Sequence, residues 1–82
     1  MKSLENVNSF LLFLKPELDI EDESFLEPGS ILENVDGWDS LAVMLLVAVC
    51  DENFNIELDP DHLDDCKTPG ELYNLVKNSQ QS

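Results

Sequence analysis

Residues 39 to 54 read DSLAVMLLVAVCDENF, and the reading of this stretch decides the fold. Ten consecutive apolar residues, Leu41 to Cys50, stand between Asp39 and the polar pair Asp51 and Glu52. Asp39 is a good N-cap, so the stretch reads as a helix from Ser40 to about Phe54. A helix that is apolar all round is either fully buried or presents a face to a partner. In a chain of 82 residues, burial on every side is hard to arrange. Some of this surface is therefore expected to be a contact face, with Ser40 at its mouth.

Working outward, Leu4, Val7, Phe10, Leu11 and Leu14 recur at helical spacing, and Ser3 is available as their N-cap. Pro16 disfavours helical geometry at Lys15, so this first helix is expected to stop there. More than twenty residues without a clean period then lead to Trp38. They contain the turn signal EPGS and a scatter of apolar anchors, Leu18, Ile20, Phe25, Leu26, Ile31, Leu32, Val35 and Trp38. A loop this long in a small domain is often functional, and its anchors place it over the core. After the central helix, Phe54, Ile56 and Leu58 alternate as in an extended connector. Asp59 and Pro60 open a short helical turn to about Asp65. In TPGE, Thr68 caps the last helix, Pro69 takes its first position and Glu71 completes a capping box. Leu72, Leu75 and Val76 form its buried stripe. The expectation is an all-α single domain with its core over about 3–78. It is a small bundle of three main helices plus one short helix, with a long loop between the first and second helices.

The charge narrows the function. The formal net charge is −14, and the four lysines are residues 2, 15, 67 and 77. Between Pro16 and Cys66 there are sixteen acidic residues and no basic one. Such a field repels nucleic-acid backbones and anionic lipid surfaces, and it speeds encounter with basic proteins. No apolar run approaches the roughly 18 residues of a membrane span. Glu5, Asn6 and Asn8 interrupt the N-terminal apolar residues, which argues against a signal peptide. A cytoplasmic location is expected. Cys50, Cys66 and the lone His62 are too few for a structural metal centre, and the two cysteines read as small buried or half-buried residues.

Ser40 itself has three readings: a helix cap, a nucleophile, or a point of attachment. A hydrolytic serine needs a base, His62 lies far along the chain, and no G-x-S-x-G elbow surrounds Ser40. A calcium loop beginning at Asp51 would need glycine where Ile56 stands and glutamate where His62 stands. Attachment has a physical basis. A phosphate ester at a helix start meets free N–H donors and the positive end of the helix dipole. Leu41 and Met44 would give an apolar arm something to lie against. Residue physics leaves capping and attachment both open.

At DSL, residues 39–41, the chain resembles the acyl carrier proteins, small acidic helical bundles with Asp-Ser-Leu at the start of their second helix. The likeness extends through DENF at 51–54, NIELDPDHLDD at 55–65 and TPGELYNLV at 68–76, with Tyr73 near the family's usual aromatic. It implies that Ser40 receives a covalent 4'-phosphopantetheine arm from a phosphopantetheinyl transferase. The arm's thiol would hold acyl groups as thioesters and deliver them to enzymes of fatty acid, polyketide or related synthesis. The chain itself would catalyse nothing and would act as a discrete, specialised monomer. Asp39, Leu41, Met44, Leu45, Asp51 and Glu52 would face partner enzymes with basic or mixed apolar docking patches. The interior lined by Leu46, Val47, Phe54, Ile56 and Leu72 would shelter the acyl chain. One departure stands out. The family's second helix has acids on its exposed face, two and five positions after the serine, where this chain has Ala42 and Leu45. The resemblance thus implies a contact face that is greasy instead of charged.

Two other functions share parts of the pattern. An aminoacyl or peptidyl carrier would use the same arm and bundle. An unmodified acidic helical adaptor would bind a basic protein without using Ser40.

Overall fold

A computed structural model describes residues 5–80. Helix α1 spans Val7–Glu17, α2 Ser40–Phe54, α3 Pro60–Asp64 and α4 Pro69–Ser79. Two short 3₁₀ turns, Glu23–Leu26 and Leu32–Asn34, punctuate the long α1–α2 connection. No strand occurs among the described residues, and the all-α bundle with one short helix is the fold expected from the pattern. The α2 and α4 starts fall at the expected residues. The short α3 ends at Asp64, one residue before the expected Asp65.

The first helix departs from expectation at both ends. Ser3 and Leu4 lie outside the described residues. The helix is capped by Asn6, whose side chain accepts the Ser9 N–H at 2.8 Å. At the other end the helix runs past Lys15 and includes Pro16. A proline here displaces only one hydrogen bond in the closing turn, and the turn is closed by other donors. Leu18, Asp19 and Ile20 donate back to Leu14, Pro16 and Lys15 at 2.9, 3.2 and 3.0 Å. Asp19 takes the left-handed conformation (φ 59°) that such a terminus needs.

Helix α1 packs against both α2 and α4, while α2 packs against α3. Phe10, Leu11 and Leu14 from α1, Leu46 and Cys50 from α2, Leu63 from α3, and Leu72 and Val76 from α4 are all completely buried. An aromatic cluster fixes the end of the bundle remote from Ser40. Phe10 lies 5.6 Å from Tyr73, and Phe13 lies 5.8 Å from Phe54, between ring centres. Such tilted pairs add about 0.5–1.5 kcal/mol each beyond their buried area.

The long loop is part of the core rather than a flap over it. Leu18, Ile20, Phe25, Leu32 and Val35 are buried, and Trp38 stacks on Phe25 with ring centres 6.4 Å apart. Ile31 is the anchor that stays exposed. The Asp22 carboxylate gathers the loop by accepting from the Ser24 N–H at 3.0 Å, the Ser24 hydroxyl at 2.8 Å and the Asp36 N–H at 2.9 Å. Two backbone bonds tie the loop to the α3–α4 connection: Leu32 N–H to the Lys67 carbonyl at 2.8 Å, and Gly70 N–H to the Pro28 carbonyl at 3.0 Å. Gly70 permits that approach, because a Cβ there would stand 3.0 Å from the Pro28 carbonyl oxygen. The radius of gyration, 11.2 Å, is close to the ~11.7 Å of a compact chain this long.

Candidate functional site

Ser40 is the first residue of α2, and the residues around it explain why its hydroxyl is spare. Gly37 turns the chain towards the helix with φ +98°, a conformation other residues rarely adopt. Asp39, in extended backbone, supplies the cap. Its carboxylate accepts the Ala42 N–H at 3.0 Å, and its carbonyl takes the first helical bond from Val43 at 3.1 Å. Asp39 fills the capping role, so the Ser40 side chain is not needed for it. Ser40 is exposed, and its hydroxyl takes part in no hydrogen bond among the described residues.

Ser40 stands at an open cleft of about 460 Å³ between the long loop, the start of α2 and the α3–α4 connection. Ile31, Trp38 and Val43 give the cleft its apolar wall. Among the described residues its charged groups are Glu33, Asp39 and Asp64, with Lys67 as the lone cation. Cys66 also lines it, its thiol pushed up by burial and by Glu71 and Asp65 nearby. Cys50 is a different case. It lies fully buried in α2, where burial alone raises the thiol to about 12 and leaves it neutral and unreactive.

The cleft's lining differs from the chamber expected from sequence. Leu46, Ile56 and Leu72 are spent on core packing and do not line it. Val47 faces a second depression with Met44 and Ala48, and Phe54 faces a third near the chain's end. Trp38, two residues before Ser40, was missed as a site residue, as were Ile31, Cys66 and Lys67, which meet Ser40 only through tertiary folding. Lys67 alone carried a signal in the sequence, being the single cation between Lys15 and Lys77.

The exposed face of α2 is equally specific. Leu41 and Met44 are 66% and 58% exposed, and Ala48, Asp51 and Glu52 continue the face. Ala42 does not belong to it. At 2% exposure it faces the interior, so its position is structural and says nothing about docking charge. Leu45 is half-buried and packs against the core. Among the six residues expected to face partners, Asp39, Leu41, Met44, Asp51 and Glu52 are exposed.

A small acidic helical bundle that holds an uncommitted serine at the start of its central helix, beside a cleft, has the architecture of a carrier domain. The model of the family described as "Phosphopantetheine attachment site" matches residues 13–76, and the chain belongs to that family. It is a carrier protein of the kind that bears covalent 4'-phosphopantetheine. No curated protein and no solved structure matches the chain.

Proposed function

We propose that Ser40 is the residue that bears the arm, and that the chain is an acyl carrier protein serving fatty acid, polyketide or related synthesis. The observation that supports this most is the spare, exposed Ser40 hydroxyl beside the cleft, with capping left to Asp39. In loading by a transferase, the Ser40 oxygen forms the new bond to phosphorus and gives up its proton. The nucleotide half of coenzyme A leaves with the electron pair of the broken bond. The added phosphodiester charge lies at the positive end of a fifteen-residue helix, where anions are favoured. When bound, the arm supplies a terminal thiol that holds an acyl group as a thioester.

The chain's own residues supply position and recognition, and they perform no catalysis. The apolar wall of the cleft gives the arm and its cargo a surface to lie against. Leu41 and Met44, with Asp39, Asp51 and Glu52 around them, form a greasy patch rimmed by carboxylates. Its complement on a partner enzyme is an apolar pocket with Lys or Arg at the edge, and the wide negative field speeds the encounter. The arrangement suits a carrier working as a monomer in the cytoplasm. No described helix is long and apolar enough to cross a membrane.

The test is to incubate the protein with a phosphopantetheinyl transferase and coenzyme A, then measure intact mass and map the modified peptide. One arm on Ser40, absent from Ser40→Ala, is the expected result. An arm elsewhere, or none, rejects the assignment. The mass of the species loaded in the producing cell then identifies the cargo as acyl or aminoacyl.

A further inference from the structure

We propose that the Lys67 side chain is the built-in counter-ion of the phosphodiester on Ser40, holding the arm over the cleft. This rests on the attachment reading above, and three observations carry it further.

The first is placement. Lys67 and Ser40 line the same cleft although they lie 27 positions apart in the chain, and Lys67 is the only cation there among the described residues. The second is electrostatic need. The cleft already holds Glu33 from the loop, Asp39 from the α2 cap and Asp64 from α3, in a protein of net charge −14. A phosphodiester adds another negative charge at that spot. These carboxylates oppose the stabilisation that the start of α2 gives the phosphodiester, and a cation at the rim would offset their repulsion.

The third is the way Lys67 is held. Its backbone is fastened on both sides. The N–H donates to Glu71 Oε1 at 2.7 Å, and the carbonyl accepts from Leu32 N–H at 2.8 Å. The capping-box glutamate thus reaches back to Lys67 instead of to the cap residue Thr68. The root of the side chain is fixed at the rim while the ammonium stays uncommitted. Lys67 is exposed and makes no ion pair among the described residues. The other described lysines are occupied, Lys15 with Glu23 at 3.5 Å and Lys77 over the Tyr73 ring at 5.8 Å. A compact ammonium suits a phosphate oxygen as a point charge.

The test compares the arm-bearing wild type with Lys67→Gln and Lys67→Arg by ³¹P NMR at low and high salt, with loading verified by intact mass. In the wild type at low salt the phosphodiester resonance should be displaced and broadened relative to the same phosphodiester on the Ser40-containing peptide released from the loaded protein by proteolysis. Lys67→Gln should move it towards the position of the released peptide, and Lys67→Arg should keep it displaced. About 1 M salt, with a Debye length near 3 Å, should bring the wild type to the Lys67→Gln spectrum. Loaded wild type and Lys67→Gln with the same resonance at low salt would overturn the proposal while leaving attachment intact. A Lys67 effect that emerges only with a carboxylate-ended cargo would also overturn it, reassigning the lysine to cargo selection. Absence of the arm from Ser40 would overturn both readings.

Discussion

Replacing Asp39 by alanine removes the acceptor for the Ala42 N–H, a 3.0 Å bond at the first turn of α2. Loss of an N-cap of this kind costs about 1 kcal/mol, within a range of roughly 0.5–2. For a domain of this size each kcal/mol corresponds to about 4–8 °C in Tm. Asp39→Asn keeps an oxygen acceptor and removes the charge, so it should stay within a few tenths of a kcal/mol of wild type. Thermal unfolding followed by far-UV circular dichroism separates the two variants. Transferase loading rates on the same proteins then ask a second question. Asp39→Asn folds normally, so any slowing in it reports recognition of the carboxylate by the enzyme. If Asp39→Ala melts with the wild type, Asp39 is not the cap. The claim that Ser40 is spared from capping then fails with it.

Other outcomes follow from the same geometry. Leu41→Glu with Met44→Glu changes two exposed residues and should leave stability within about 0.5 kcal/mol per site. Acyl transfer to a partner enzyme should fall at least about tenfold in kcat/KM, the effect of losing ~1.4 kcal/mol of contact. Unchanged transfer would remove this face from docking. Leu46→Ala, at a site with no exposure, should cost about 2–5 kcal/mol and lower Tm by roughly 8–40 °C. A small loss would mean that the core closes around the gap. Asp22 is held below the ordinary carboxylate value of 3.8, chiefly by the Asp36 and Ser24 N–H groups. Its contribution to stability is therefore present above the unfolded value and lost as pH falls through the folded one. Wild type should exceed Asp22→Ala at neutral pH, with the gap closing at acid pH. A gap that persists undiminished would show that the charged form is not what holds the loop.

Much of the fold is legible because local signals agree with one another. Asp39 before ten apolar residues, Asp59-Pro60 and Thr68-Pro69 each mark a helix start that the structure reproduces. The end of α1 is less legible. A proline rule describes one bond and one steric clash, whereas the actual terminus depends on Asp19 entering a left-handed conformation three residues later. The rotation of α2 is a subtler case. Leu41 to Cys50 contains no polar residue to mark the wet side, and the resemblance alone puts Ala42 on the exposed face, where it does not lie. Counting back from Asp51 by three, four and three residues gives Ala48, Met44 and Leu41, the face that is in fact exposed. Ser40 was legible as a helix start with a motif. Its cleft was not, because Ile31, Trp38 and Lys67 come together only when the loop bonds to the α3–α4 connection.

Intact-mass and peptide mapping of the protein after transferase treatment, in wild type and Ser40→Ala side by side, tests the central claim most directly. The account predicts a single phosphopantetheine on the peptide containing Ser40 and an unmodified variant. An arm on the variant, or a wild type that gains none, would contradict it.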